Sequence, residues 1–338
     1  MLSIRARSLV LWFSLVLSLF SSAVMAQDNG WSTYKNRFLM PDGRIIDTAN
    51  HNVSHTEGQG FAMVLAVFND DQKTFDHLWQ WANSQLYRKE IGLYSWRYDP
   101  AAKDKVADAN NASDGDTLIA WALLMAGEKW HQPSYTQASD KLQAALIKYT
   151  VMDFAGYKVM LPGISGFDQT SNITVNPSYF IFPAWKAFYQ RSHLKVWKEL
   201  DESATRMLDN MAFGPYRLPT DWVTIQTDGT MTPGSKWPTR FSFDAIRIPL
   251  YLAWAHPGSP QLSPFIQFWQ KFPREQTPAW VDVMTGSKAG YNLSPGTLAI
   301  RDLTMANSGA IDSTLQAKED YYSSSLHLLS WWAAKGQQ

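Results

Sequence analysis

The chain has 338 residues with 30 Lys+Arg, 30 Asp+Glu and no cysteine. That balance gives no global electrostatic reason to bind nucleic acid, and the missing cysteines exclude disulfides and thiolate metal sites. Sixteen Trp, 14 Tyr and 17 Phe are more aromatic surface than packing usually demands, and indole and phenol faces stack well on the C–H faces of sugars.

At the N-terminus, Arg5 and Arg7 precede an apolar run from Leu9 to Phe20, broken only by Ser14 and Ser18. The small-residue stretch Ser21 to Ala26 follows, with Val24 and Ala26 at the key positions of a signal-peptidase site. The apolar run is shorter than the roughly 20 residues of a membrane span, so it reads as a secretory leader cut after Ala26 rather than an anchor. The mature protein, 27–338, would be periplasmic or secreted, free of the membrane, with 28 basic against 30 acidic residues.

No linker, charge block or low-complexity segment divides that mature part, which reads as one domain. Helical periodicity dominates. The stretch 31–39 is a first candidate. Phe61, Met63, Val64, Leu65, Val67 and Phe68 lie in a helix, and Phe75, Leu78, Trp79, Trp81 and Leu86 in the next. Leu118 to Met125 forms another, and Leu142, Ala145, Leu146 and Tyr149 one more. Further helices are predicted at 178–190, 195–211, 241–255, 262–271, 295–306 and 318–334. Pro177 with Ser178 is expected to open one, and Asp114 or Asp116 to cap another. Long Gly-, Asn-, Asp- and Pro-rich loops occupy 88–113, 156–176 and 213–240. About eleven helices in pairs, without the fixed-period repeat of a solenoid, point to an all-α toroid of helical hairpins. Polar residues at the ends of its apolar inner helices would face a groove.

Three segments place acids where such a groove would lie. In His55-Thr56-Glu57-Gly58-Gln59-Gly60, a carboxylate precedes glycines that let a substrate or another backbone approach closely; Glu57 could equally complement a helix dipole. In Ser113-Asp114-Gly115-Asp116, two acids open a strongly apolar helix, either as chemistry or as cap and solvated neighbour. In Phe243-Asp244-Ala245-Ile246-Arg247, a lone acid and a lone Arg sit in a hydrophobic run, as a buried ion pair or as part of a site. A calcium loop fails because its twelfth position would be Ile119. His51, His55 and Glu57 lack the order of a zinc helix, and no GxSxG elbow supports a serine nucleophile. No metal or cofactor is expected.

Together these segments resemble glycoside hydrolase family 8. The stretch Ala112 to Trp130 is similar to that family's signature. Glu57-Gly58-Gln59-Gly60 resembles its general-acid motif, and Asp244-Ala245-Ile246-Arg247-Ile248-Pro249 its Asp-Ala-x-Arg-x-Pro element. Trp96 and Tyr98 match its Trp-x-Tyr pair, and Asn176-Pro177-Ser178-Tyr179 a further motif, all in the family's order. Within the family, the likeness is to the periplasmic endoglucanase branch associated with bacterial cellulose synthesis.

The resemblance implies an (α/α)6 barrel and an inverting endo-β-1,4-glucanase. Glu57 would be the general acid, Asp244 the general base, and Asp114 a signature acid that distorts the sugar ring. Trp96, Tyr98, Asp116, Tyr179 and Arg247 would bind substrate, with Arg247 keeping Asp244 ionised. The partners implied are β-glucan chains and the periplasmic cellulose-synthesis machinery, met by a monomer. Xylan, chitosan or mixed-linkage glucan are alternative substrates within the family. A non-catalytic glycan-binding component of an export complex is a rival of another class, though it would not need Glu57 and Asp244 together. A uronic-acid lyase fits three acidic motifs poorly.

Overall fold

The computed structural model of the protein describes residues 30–337, so the expected leader and its cleavage after Ala26 lie outside the described residues. Eleven α-helices run through them: α1 (Trp31–Phe38), α2 (Thr56–Phe68), α3 (Gln72–Gln85), α4 (Ser113–Lys129), α5 (Pro133–Thr150), α6 (Phe182–Ser192), α7 (Lys195–Asn210), α8 (Arg247–Ala255), α9 (Ser263–Trp269), α10 (Pro295–Thr304) and α11 (Tyr321–Lys335). Six of them form a closed inner ring, in which α2 touches α4, then α6, α8, α10 and α11 follow, and α11 returns to α2. Outside the ring, α3 packs on α2, α5 on α4, α7 on α6, α9 on α10 and α1 on α11. This is the (α/α)6 barrel.

Sequence decides which helix goes where. In α2, every residue from Gly58 to Val67 is buried, and α4 is buried from Ser113 to Leu124. Each large apolar side chain so removed from water contributes roughly 1.5–3 kcal/mol. By contrast α7 buries one stripe, Trp197, Leu200, Ala204 and Met207, and turns its charges outward, as a surface helix must. Two glycines let α2 and α4 touch. A Cβ on Gly60 would stand 2.5 Å from Leu118 Cβ, and one on Gly115 only 2.1 Å from Thr56 Oγ1.

The structure differs from the expected elements at three helix starts. The predicted helix 178–190 is present from Phe182 on as α6, but its expected start is a separate 3₁₀ turn, Pro177–Tyr179, capped by Asn176. Neither Asp114 nor Asp116 caps α4; its N-cap is Ala112, and both acids lie in the first turn. The predicted helix 241–255 begins as the short strand Arg240–Phe241, and α8 starts at Arg247.

Short antiparallel strands occupy the loops. Ser54–His55 pairs with Arg97–Tyr98. Asn172–Val175 pairs with Val223–Gln226, with Val175 opposite Val223, and Met231–Pro233 adds a third strand. Among the described residues no helix is long and apolar enough to cross a membrane.

Candidate active site

The N-terminal ends of α2, α4, α8 and α11 and the 3₁₀ turn at Pro177–Tyr179 meet at one mouth of the barrel. Arg247, on the first residue of α8, is the hub; its side chain is 2% exposed. One guanidinium nitrogen pairs with Glu57. The other lies 3.3 Å from Asp244 Oδ1 and 3.5 Å from Asp114 Oδ2. It also donates to Ser178 Oγ at 2.7 Å. The three acids singled out in separate segments therefore share one cation. A buried Arg among apolar helices is tolerable only with such partners.

Each acid has further partners. Glu57 Oε1 accepts from the Tyr321 hydroxyl at 2.9 Å. Asp244 Oδ2 accepts from Asn176 Nδ2 at 3.0 Å, and the Trp222 indole beside its carboxylate lowers its proton affinity. Ser178 Oγ donates to Asn176 Oδ1 at 2.7 Å, which closes a ring of polar contacts from Asp244 back to Arg247. The pairing of Val175 with Val223 explains this grip, because it sets the next residue on one strand, Asn176, and the residue before the other, Trp222, beside the base. Asp114 is buried, accepts from Gly115 N–H at 2.8 Å and has Tyr179 beside it.

Burial raises the proton affinity of Asp114, and Asp116 adds to it. It raises Asp244 as well, with the neighbouring charges of Asp221 and Asp114 adding to the effect. The expectation that Arg247 keeps Asp244 readily ionised is thus outweighed by its surroundings. Three carboxylates share a single cation, which is too little positive charge to hold all of them low.

Cavity space lies against this cluster. A cleft of about 530 Å³ is lined by Glu57, Asp244, His55, Phe243, Tyr291 and Tyr321, among others. Trp96 is half-buried and stacks flat on His55, with centroids 5.9 Å apart and planes 4° from parallel. Burial and Arg97 push His55 down to about 4, so the imidazole is neutral. On the Asp244 side, Trp222 lies between Phe167 (5.7 Å, 6°) and Trp237 (4.5 Å, 10°). A larger depression of about 1190 Å³ is lined by residues of the segments 153–158, 199–206 and 256–259 and holds none of the expected site residues.

Five of the eight expected site residues therefore gather around one guanidinium: Glu57, Asp114, Asp244, Tyr179 and Arg247 itself, whose carbon is 5.8 Å from the Tyr179 ring centroid. Trp96 flanks them.

Two of the eight correct the reading. Asp116 is fully buried, and both its oxygens are engaged away from the Arg247 cluster, accepting from Tyr94 N–H at 3.0 Å and Asn111 Nδ2 at 2.8 Å. Its carboxyl is pushed up to about 7 by that burial. Tyr98 is 8% exposed, packed edge-on against Trp81, and supports the strand that leads to His55 instead of presenting its ring. Gln59 of the acid motif is equally structural. It accepts from Ile45 N–H and donates to the carbonyls of Gly43 and Leu78.

Sequence reading missed Tyr321, Tyr322, Asn176 and Ser178 as individual contacts, together with Asp221 and Trp222. For Asn176 and Ser178 the motif around Tyr179 was a sufficient signal. Tyr321 and Tyr322 carried only the signal of a helix start. Among the described residues no cluster of three or more His, Cys, Asp or Glu is set for a metal ion.

A double ring of helices with carboxylates and aromatic faces at one mouth defines a glycan-cleaving enzyme of the helical-toroid class. The chain belongs to the glycosyl hydrolases family 8, whose model matches residues 6–336. It is 53% identical over 297 residues to the endoglucanase of Cellulomonas uda, covering 86% of this chain and 83% of that one. The crystal structure of a Klebsiella pneumoniae endoglucanase of the same family superposes with a TM-score of 0.90 at 54% identity, covering 92% of this chain and all of the other. The endo-β-1,4-glucanase of Acetobacter xylinum gives a TM-score of 0.87 at 36% identity, over 91% and 97% of the two chains.

Proposed function

We propose that the protein cuts β-1,4-glucan chains internally, with inversion, using Glu57 as acid and Asp244 as base. The observation that carries this reading is Arg247 joining Glu57, Asp114 and Asp244 beside a cleft with aromatic faces. A glucan chain lies along those faces. Glu57, protonated, gives its proton to the leaving glycosidic oxygen. Asp244, held by Asn176, Trp222 and Arg247, takes a proton from the water that attacks the opposite face of the ring. Asp114 hydrogen-bonds the sugar at the scissile position and favours its distorted form.

Inversion has a direct readout. NMR of the first products from cellopentaose should show α-anomers, and Asp244→Asn should lose turnover. Early β-anomers would instead require a covalent intermediate and a carboxyl spacing of about 5 Å rather than roughly 6.5–9.5 Å. Comparing cellopentaose with xylan and chitosan tests the glucan assignment, and faster cleavage of either of the latter would overturn it.

The protein acts in the periplasm as a monomer, beside the machinery that extrudes cellulose. The leader read at 1–26 supports the export part of this placement. Mass spectrometry of the exported protein should find Gln27 at its N-terminus; a retained leader would contradict the export reading.

A further inference from the structure

We infer that Asp221 is a positioning residue for Asp244, holding the turn that aims the base and lending it a neighbouring negative charge. The inference rests on the reading of Asp244 as the general base. The turn Ser242–Ile246 precedes the first residue of α8, so its amides have few helical partners of their own. Asp221 supplies acceptors for them. Its Oδ1 takes the N–H of Ser242 at 3.0 Å and of Ala245 at 2.8 Å, and its Oδ2 takes the Ser242 hydroxyl. Its own N–H donates to Arg240 O at 2.8 Å, so main chain and side chain grip the same segment. On the far side Tyr322 donates its hydroxyl to Phe243 O at 2.5 Å. The segment that carries Asp244 is thus fastened from two directions, while Asp221 is not among the residues lining the cleft.

The two backbone N–H bonds need Asp221 as an acceptor and favour its ionised carboxylate, against the burial that raises its proton affinity. Charged and titratable groups face Asp244 from several elements: Arg247 on α8, Asp114 on α4, Tyr179 on the 3₁₀ turn, Tyr322 on α11, and Asp221 ahead of Val223–Gln226. Asn176 and Trp222 are neutral donors. Arg247 favours an ionised Asp244, but it is shared with two other carboxylates. Asp221 is a like charge, and a like charge makes Asp244 hold its proton to higher pH and act as a stronger base once ionised.

Two variants separate aim from charge. Asp221→Asn keeps its shape: the amide oxygen can take both N–H groups, and the amide nitrogen can donate to Ser242 Oγ. Asp221→Ala removes all three bonds. With cellopentaose as substrate, the acidic limb of kcat/KM should move to lower pH by about one unit in Asp221→Asn, because less negative charge surrounds the base. Asp221→Ala should lose kcat by about 10²-fold through misplacement of the base, while KM stays near wild type because Asp221 touches no substrate. An unmoved limb in the Asn variant, or wild-type kcat in the Ala variant, would overturn the inference. Wild-type turnover in Asp244→Asn would overturn the base assignment itself, which is a different result from either.

Discussion

Replacing Glu57 by Gln is expected to lower kcat on carboxymethylcellulose by a factor on the order of 10²–10⁴, the usual worth of a positioned proton donor. Gln cannot deliver a proton to the leaving oxygen, yet it keeps the side-chain shape and an acceptor for Tyr321. Arg247 retains Asp114 and Asp244 as partners, so the fold should survive with a thermal midpoint close to wild type. The leaving group supplies an internal check. On a dinitrophenyl cellooligosaccharide, whose phenolate departs without a proton, the loss should be much smaller. An equal loss on both substrates would mean that Glu57 positions sugar rather than donating a proton. Full activity on cellulose would remove it from the mechanism.

Replacing Arg247 by Met should cost more in stability than any other single change in the site. Three carboxylates would be left facing one another without a cation, and breaking a buried pair in this way typically costs about 3–5 kcal/mol. Activity should be lost as well, since Arg247 orders both Glu57 and Asp244. The stability loss should depend on pH. Asp114 and Asp244 already have raised proton affinities with Arg247 present, and its removal raises them further. A carboxyl raised in the folded state contributes stability that is full below its unfolded value and is lost as pH rises through the folded one. The variant should therefore be most impaired at pH 8 and should recover toward pH 5, where protons take the place of the guanidinium. Urea unfolding at the two pH values measures this, and equal losses would contradict it.

Much of the barrel was legible because two of its inner helices, α2 and α4, are apolar on nearly all sides. The continuous runs in α2 and α4 can be satisfied only between other helices. The strands were not legible, for a physical reason. They are only two to four residues long, too short for alternation to build up, and some pair across the sequence, as Asn172–Val175 does with Val223–Gln226. The same pairing creates the Asn176 and Trp222 contacts to the base, which is why local sequence could not foretell Trp222 or Asp221.

Asp116 shows another limit. It stands two residues from Asp114, and on a helix that spacing points side chains to different faces. One acid looks at Arg247 and the other into the wall behind Tyr94. Tyr321 was hidden in the same manner, being read as the first turn of a core helix. Its hydroxyl meets Glu57 only because the closing of the ring brings α11 against α2.

The glycine joint between α2 and α4 bears on how such an enzyme can be altered. Since no methyl group fits at Gly60 or Gly115, the two helices cannot slide or tilt to admit a bulkier sugar without losing their contact. Retuning toward another polysaccharide must come from rim segments, such as the one carrying Tyr291, a residue 55% exposed. An engineer can treat frame and rim as separable parts, exchanging the second while leaving the first untouched.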